Sequence, residues 1–397
     1  MIVPAFNAGQ SLERALRSAL ATDRLVECIV VDDGSTDDTA AVAERLAAAD
    51  PRIVALRLAS NEGVSRARNR ALAVARGEWL IFLEADDRLL PLAVERLLDA
   101  AADGDALAVV GQRVWTDGRR RWQAASYCVP DIRQPGRKSL AGHPGLMAYA
   151  APTGKLFHRS IAEGLRFEGR VLGDQPWTIR ALIRADDRIQ VIGDLVYEWR
   201  RPVGGAPSTI TAAKRASSRL AAAAARVAVG ALAEVSAEAD ARIVDPEARR
   251  RVVGGYFERL VRLDLAGPVR RAVTRNDPGA AELFEAIAAF LDSAPAGLVD
   301  RSTRVAEDLL RAPLDRWPSL REPARTAYLQ LLRHVLAAHP GLARRMGHDL
   351  VPLAVRLLRT HDRGLAHAAA RLLLTLNWPL GAARRLARYR PPRILRA

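Results

Sequence analysis

The sequence contains only two cysteines, Cys28 and Cys128, in 397 residues. So few cysteines argue against a disulfide framework and against a thiolate metal site. The longest apolar stretch, Leu220–Val235, is mostly alanine and is interrupted by Arg226 and Glu234, so we expect it to fall short of a membrane span. The chain enters its first predicted strand almost at once, so we expect no secretory leader. We therefore expect a cytoplasmic protein, soluble or peripheral at the inner face of a membrane.

Two phosphate-binding signatures are also missing. The sequence has no G-x-x-x-x-G-K-[ST] and no G-x-G-x-x-G pattern, so P-loop and dinucleotide-binding folds lack their phosphate cradles. Hydrophobic residues make up 49% of the chain and charged residues 26%, which is typical of a globular protein. The length predicts two domains.

Nearly all of the net positive charge lies in the second half of the chain. Residues 211–397 carry 32 basic and 18 acidic side chains, whereas the first 210 residues carry 28 and 27. This asymmetry indicates an anionic partner (an acidic polymer, a lipid surface or nucleic acid) or simply a solvated helical surface in an arginine-rich chain. Without interleaved aromatic residues or a known motif, nucleic acid is the least favoured partner.

The first hundred residues alternate between β-branched runs and helical periodicity. Predicted strands lie at Ile2–Val3, Cys28–Val31, Ile53–Leu58 and Trp79–Leu83. Predicted helices lie at Ser11–Ala21, Thr39–Ala49 and Ser65–Ala75. Such alternation predicts βαβ units, hence an α/β fold with a mostly parallel sheet flanked by helices. A further strand is expected at Ala106–Trp115.

Composition divides the rest of the chain. Tyr127–Pro152 is rich in Pro, Gly and polar residues, which predicts a long functional loop. Arg200–Ser208 is a composition break, so we place a catalytic domain at 1–205 and a basic all-helical domain at 206–397. Helix-length segments in the latter are Pro323–Ala338, Leu350–Thr360 and Gly364–Leu376.

Polar groups follow each of the first four strands, at the carboxyl ends where α/β sheets bind ligands. These segments are 4–7 (PAFN), 32–37 (DDGSTD), 61–69 (NEGVSRARN) and 84–87 (EADD). Each could be a turn or helix cap on its own. Together, hard oxygen ligands beside arginines suit a diphosphate bridged by Mg²⁺ or Mn²⁺, with the metal neutralising charge as the phosphate leaves.

Six segments carry a resemblance to a known family: VPAFNAG at 3–9, VVDDGSTDDT at 30–39, NEGVSRARNRAL at 61–72, GEWLIFLEADDRL at 77–89, GKLF at 154–157 and GDQPW at 173–177. In order and spacing they are similar to the successive motifs of glycosyltransferase family 2, the inverting enzymes of the GT-A fold. The resemblance covers roughly residues 1–202. It implies transfer of a sugar from a nucleotide-sugar donor.

On the donor side, the resemblance implies a role for each of four residues. Pro4 and Phe6 would line the nucleotide base, and Asp33 would hydrogen-bond a uracil-type ring. Arg68 would lie near the diphosphate. A UDP- or dTDP-type donor follows from this set.

The resemblance also implies a metal ligand and a base. Asp86 would be the metal ligand of the D-x-D signature, with Asp87 beside it over the donor sugar. Asp174 would be the general base that deprotonates the acceptor hydroxyl, opposite the leaving diphosphate. Two positions depart from the family pattern, because Glu84 replaces the first acid of D-x-D and Gly173 stands where the family usually has Glu.

The acceptor is expected to be a hydroxyl of a glycan, a lipid-linked carrier or a polyanionic cell-wall polymer. The helical domain would bind the acceptor, form a homo-oligomer or contact a membrane. A catalytically degenerate nucleotide-sugar-binding scaffold is the alternative that Glu84 and Gly173 permit. Trp177 and Trp199 are either sugar-stacking or core residues.

Overall fold

The computed structural model describes residues 1–200 except 104, 124–128 and 170, and residues 217–301 except 276. Beyond 301 it describes 320–343 and the positions 309, 310, 313, 346, 350, 351, 354, 372 and 376. Cys128, residues 201–208 of the predicted boundary and most of the predicted helices Leu350–Thr360 and Gly364–Leu376 lie outside the described residues.

The chain forms two compact units. The first comprises Met1–Ala206 together with Glu234–Tyr256, and the second comprises Pro207–Ala233 together with Phe257–Ala397. Each unit is therefore built from two separate stretches of sequence.

The first unit begins with a three-stranded parallel sheet in the order β1-β2-β3. Its strands are β1 (Ile2–Ala5), β2 (Cys28–Asp32) and β3 (Ile53–Arg57). Every residue of β1 and β2 is buried, since continuous apolar runs suit strands covered on both faces. Burial raises the pKa of the Cys28 thiol to about 11, so this cysteine is a neutral core residue.

Three helices alternate with these strands: α1 (Gly9–Leu20), α2 (Thr39–Ala49) and α3 (Val64–Val74). Their bounds agree with the predicted helices to within two residues. The buried residues of α1 are Leu12, Ala15, Leu16 and Ala19, the spacing of one helical face. That face packs in the same core cluster as Val3 and Val30.

A second sheet has seven strands in the order β4-β9-β6-β10-β5, with β7 paired to β6 and β8 to β10. Its strands are β4 (Trp79–Ile81), β5 (Arg88–Leu89), β6 (Ala108–Thr116), β7 (Arg121–Trp122), β8 (Gly136–Lys138), β9 (Lys155–His158) and β10 (Ile189–Arg200). β10 runs parallel to β6, whereas β4, β5, β7, β8 and β9 pair antiparallel. Isolated bridges from Phe82 to Ile2 and to Thr153 set the two sheets side by side.

Further helices complete the first part of this unit: α4 (Ala93–Ala102), α5 (Pro130–Arg133), a 3₁₀ helix (Pro144–Tyr149), α6 (Arg159–Ala162) and α7 (Asp174–Ala185). Three short elements (α5, β8 and the 3₁₀ helix) fall inside 127–152, where we predicted one long loop. That expectation is wrong for the described residues, because β8 gains its order by pairing with β10 and not from local periodicity.

After residue 217, every described element is helical. These are α8 (Ser218–Arg242), α9 (Pro246–Arg259), a π-helical segment (Leu260–Leu265), α10 (Ala266–Arg275), α11 (Ala280–Asp292), α12 (Leu298–Arg301) and α13 (Ala324–Ala338). α13 confirms the helix predicted at Pro323–Ala338. In the second unit α11 packs on α13, with the rings of Phe284 and Tyr328 5.6 Å apart.

α8 extends beyond the apolar stretch Leu220–Val235 at both ends. It has 25 residues and, by length and composition alone, is apolar enough to cross a membrane. Within its most apolar 18-residue stretch, however, 44% is buried inside the protein. The core helix of a soluble protein meets the same criteria, so α8 is weak evidence for a membrane span. The predicted fold class, an α/β fold followed by helices, is confirmed. The expected mostly parallel pairing holds for the first sheet, whereas in the second sheet only the β6–β10 pair is parallel.

Candidate active site

Hydrogen bonds join the loops that follow β1, β2 and β3. The backbone N–H of Asn7, after β1, donates to Ser35 Oγ at 2.9 Å. The carboxylate of Asp33, after β2, accepts from the backbone N–H groups of Glu62 and Gly63, each at 2.8 Å. The strand ends therefore meet at one rim, as the topology predicts.

The three residues predicted to contact the base lie on this rim. Pro4 is buried in β1, and the side chain of Phe6 is 46% exposed. Asp33 is buried, and both of its oxygens already hold the loop before α3. Gly34 has a φ of +68°, and an added Cβ would lie 2.5 Å from the carbonyl carbon of Ser60, so only glycine fits this close approach.

One face of α3 holds the segment that leads to α7. Ser65 Oγ donates to the carbonyl of Gly169 at 2.6 Å. Asn69 makes two bonds with the backbone of Phe167, donating to its carbonyl at 2.8 Å and accepting from its N–H at 2.9 Å. Sequence reasoning missed both side chains as positioning groups, although their i, i+4 spacing puts them on one helical face.

Arg68 lies on α3 between Ser65 and Asn69. Its guanidinium is buried, bonds to Glu84 Oε1 and stands 5.2 Å from the centre of the Phe167 ring. Burial acts to lower the pKa of Arg68, but the charges of Glu84 and Asp174 outweigh it, so the net direction is upward. The structure thus brings together three predicted residues: the arginine, the first acid of the acidic loop, and the expected base.

The acidic loop, Glu84–Asp87, follows Phe82 and Leu83 at the end of β4. Asp86 is half-buried, and among the described residues no other residue donates a hydrogen bond to its carboxylate. Burial raises the pKa of Asp86, and the nearby charge of Glu84 raises it further. The charge of Arg14 and the backbone N–H of Asp86 act in the opposite direction but do not outweigh these effects. Two neighbouring carboxylates, one of which accepts from no other described residue, offer oxygen ligands to a hard cation.

Asp87 occupies a different environment. It is 2% exposed, and its oxygens accept from the Tyr197 hydroxyl at 2.7 Å and from the Arg200 N–H at 2.8 Å. Burial raises the pKa of Asp87 well above its usual range, with Asp86 adding to the effect. Its predicted place over the donor sugar stays a prediction.

No three His, Cys, Asp or Glu side chains converge on one point in the part of the chain that the structure describes. The described residues therefore form no metal site from three or more such side chains. Asp86 fits a Mg²⁺ or Mn²⁺ ion bound through one carboxylate, with diphosphate oxygens and water completing the shell. The observation that supports this fit is that no other described residue donates to the Asp86 carboxylate.

Asp174 is the first residue of α7 and is half-buried. Gly173 before it has an ordinary helical backbone, but an added Cβ would lie 2.0 Å from the carbonyl oxygen of Glu168 and 2.7 Å from Ser65 Oγ. The departure from the family's Glu at this position is thus explained by lack of space beside α3.

Arginines that the sequence analysis did not single out surround the acidic loop. Arg14 of α1 donates to the carbonyl of Asp86 at 3.0 Å. Burial lowers the pKa of Arg14, and the charges of Arg200 and Arg88 lower it further. Since the chain brings these arginines near two carboxylates, the loop lies in a strongly polar, partly buried environment.

Ion pairs attach α7 to the later stretch of the first unit. Arg180 lies 3.2 Å from Glu234 and 3.1 Å from Glu238, and Arg184 lies 2.7 Å from Glu238. The side chain of Glu238 is only 7% exposed. Residues of α8 beyond 233 therefore support the helix that begins with Asp174.

Both candidate tryptophans pack against other aromatic side chains. Trp177 is fully buried, with its ring stacked 4.6 Å from Phe167. Trp199 stacks on Trp115 with ring centres 3.7 Å apart. The core alternative is the correct one for Trp177.

Comparison with known proteins identifies one family model, Glycosyl transferase family 2, over residues 1–166. The chain is 26% identical to the glycosyltransferase GlyG of Streptococcus pneumoniae over 51% of this chain and 71% of that protein. It is 36% identical to the succinoglycan biosynthesis protein ExoU of Rhizobium meliloti, over 30% of this chain and 36% of that protein. It is 30% identical to the GalNAc(5)-diNAcBac-PP-undecaprenol beta-1,3-glucosyltransferase of Campylobacter jejuni, over 44% of this chain and 56% of that protein. The last two matches thus span between a third and three fifths of the relatives' length.

Among solved structures, the fold is similar to S. aureus TarS 1-349 in complex with UDP-GlcNAc. The TM-score is 0.63 at 17% identity, over 82% of this chain and 89% of that one. At this identity the likeness concerns the fold.

Proposed function

We propose that the chain, whose residues 1–166 match the family model Glycosyl transferase family 2, is an inverting, metal-dependent sugar transferase. The observation that carries the proposal is the contact of Arg68 with Glu84, within electrostatic reach of Asp174. Beside this pair lies the Asp86 carboxylate, to which no other described residue donates. These contacts support one site shared by donor-side and acceptor-side groups.

The proposed reaction is a single displacement. Asp174 accepts the proton of the acceptor hydroxyl, the oxygen attacks the anomeric carbon, and the nucleoside diphosphate leaves from the opposite face. A Mn²⁺ or Mg²⁺ ion at Asp86 would supply neutralisation of the diphosphate charge. Arg68, held by Glu84, contributes a fixed positive charge to the same end of the donor.

We propose a UDP- or dTDP-type donor, with Pro4, Phe6 and Asp33 beside the base. The UDP-GlcNAc complex of S. aureus TarS, whose fold is similar, supports a uridine donor. The names of the Campylobacter and Rhizobium relatives support a lipid-linked or polysaccharide acceptor. A cytoplasmic or peripheral location at the inner membrane face suits such an acceptor.

For the region 206–397 we propose acceptor binding, oligomerisation or membrane contact. Its excess of basic side chains supports a polyanionic acceptor or an anionic lipid surface. Assays with and without anionic vesicles test the membrane role, and identical rates with no vesicle binding would remove it.

The alternative of a degenerate scaffold depended on Glu84 and Gly173. In the structure Glu84 pairs with Arg68, and Gly173 is the residue that fits beside α3. Since both departures have a structural reason, the geometry favours the enzyme over the scaffold.

A thermal-shift screen of UDP, dTDP, GDP and CDP sugars, with and without Mn²⁺, tests the donor proposal. A saturating ligand at about 100 times its Kd stabilises a protein by about 2.7 kcal/mol. We expect one nucleotide class to raise Tm only with metal, and Asp86→Ala to abolish the shift. Asp194→Ala, which removes an exposed carboxylate outside the acidic loop, is the control and should keep it. No shift with any nucleotide would contradict the proposal.

A further inference from the structure

The phenol of Tyr197 stands at the centre of the contacts that hold the acidic loop. Tyr197 is 1% exposed, and its hydroxyl accepts a hydrogen bond from the N–H of Glu84 at 3.1 Å. The same hydroxyl donates to Asp87 Oδ2 at 2.7 Å, and Asp87 Oδ1 accepts from the N–H of Arg200 at 2.8 Å. The first and last residues of the loop are therefore bound by one strand, β10.

An irregularity in β10 explains why this side chain reaches the loop. The register between β10 and β6 shifts twice, between Val191 and Leu195 and again between Leu195 and Tyr197. Such bulges redirect side chains out of the regular alternation. Gly111 of β6 permits the close approach, because a Cβ there would lie 2.4 Å from Val196 Cγ2.

Asp86 lies between the two bound residues of the loop. Apart from the bond that Arg14 donates to its carbonyl, Asp86 depends on its neighbours for its position, since no other described residue donates to its carboxylate. Whatever fixes Glu84 and Asp87 thus also fixes the direction of the Asp86 carboxylate. The Tyr197 hydroxyl is the one group that bonds to both of these neighbours among the described residues.

We propose that Tyr197 is a positioning residue that presents Asp86 to the divalent cation and the donor diphosphate. This inference rests on the proposed transferase function. The Tyr197 hydroxyl does not take part in the chemistry. It acts through the backbone of Glu84 and the carboxylate of Asp87. Partners in the outer shell of a metal ligand commonly affect metal affinity by about 10- to 100-fold.

The test compares Tyr197→Phe with a matched control, Tyr149→Phe. Tyr149 is equally buried, and its hydroxyl donates to the carbonyl of Thr153 instead of to the acidic loop. Both variants keep the ring and lose one buried hydroxyl, so Tyr149→Phe controls for the removal of a hydroxyl as such. Asp87→Asn serves as a second variant, because it alters the same contact from the other side.

Two readouts separate this inference from the proposed function. Backbone hydrogen–deuterium exchange of the peptide that contains 84–87 reports the order of the loop without any ligand. We expect faster exchange in Tyr197→Phe and wild-type exchange in Tyr149→Phe. Unchanged exchange in Tyr197→Phe would overturn the inference, whether or not the protein binds nucleotide.

The second readout is the Mn²⁺ concentration required for UDP binding, measured by titration calorimetry. We expect it to rise by about tenfold or more in Tyr197→Phe and to stay unchanged in Tyr149→Phe. Faster exchange with an unchanged Mn²⁺ requirement would show that the hydroxyl orders the loop without positioning Asp86, and would overturn the inference. If the wild type binds no UDP with Mn²⁺, the uridine donor proposal fails, while the exchange experiment still decides whether Tyr197 orders the loop.

Discussion

Replacing Gly173 by alanine places a Cβ atom where the protein has no room for it. The added atom would lie 2.0 Å from the Glu168 carbonyl oxygen and 2.7 Å from Ser65 Oγ, whereas real Cβ atoms essentially never come within 3.0 Å of another atom. The Glu168 carbonyl or the start of α7 must move by about 1 Å, and overpacking of this kind costs about 1–3 kcal/mol. Since the backbone of Gly173 is helical, no part of this cost comes from its φ angle.

The displacement also reaches the expected base. Asp174 follows directly, and a misplacement of about 1 Å can lower the rate by about 100-fold. We therefore expect Gly173→Ala to lower the free energy of unfolding by about 1–3 kcal/mol in urea and to reduce turnover about 100-fold. Gly173→Glu, which restores the usual family residue, should be no better.

Gly230→Ala is the matched control. No atom lies within 4 Å of a Cβ added at Gly230, which is inside α8. Alanine favours a helix over glycine by up to about 1 kcal/mol, so this variant should be as stable as the wild type or more stable. A Gly173→Ala protein with wild-type stability and turnover would refute the steric argument.

Three further predictions concern the neighbours of the site. Asn69→Ala removes two bonds to the backbone of the segment before α7 and should lower the free energy of unfolding by about 2 kcal/mol, measured in urea; an unchanged midpoint would contradict this. Because burial and Glu84 raise the pKa of Asp86, its carboxylate is protonated at a higher pH than an ordinary Asp, so Mn²⁺-dependent UDP binding should be lost early as the pH falls. Glu84→Gln removes one of these causes and should move that loss to lower pH in a calorimetric pH series; an identical midpoint would count against the assignment. Glu238→Ala leaves two arginines of α7 without their shared carboxylate and should lower the free energy of unfolding by about 2 kcal/mol. Glu258→Ala, which breaks an exposed pair between α9 and Arg262 of the π-helical segment, should lower it by less than about 1 kcal/mol in the same assay.

Local patterns predicted the βαβ part of the fold well. The strands are continuous apolar runs, and the helices between them have clear amphipathic spacing, so each element is readable from its own residues. β8 and the elements around it were missed, because β8 exists through its pairing with β10, some fifty residues away. The attachment of α8 to α7 was missed for the same reason, since it depends on Arg180 and Arg184 meeting Glu238.

The motifs predicted the main residues of the candidate site but not the contacts that hold them in place. The order of the motifs predicted that Arg68, Glu84 and Asp174 belong to one site, and the structure brings their charges together. The supporting contacts could not be predicted, because Tyr197 and Asp87 are 110 residues apart in sequence and meet through a bulge. Such a contact leaves no periodic signal in one sequence.

The most direct test of the central claim is nucleotide release from the donor. UDP release from UDP-sugars with Mn²⁺ should be measured for the wild type and Asp174→Asn, with a thermal-shift measurement of donor binding on both. We predict that Asp174→Asn binds the donor as the wild type does but releases UDP about 100- to 10,000-fold more slowly, the usual contribution of a general base. An Asp174→Asn protein that releases UDP at the wild-type rate would contradict it.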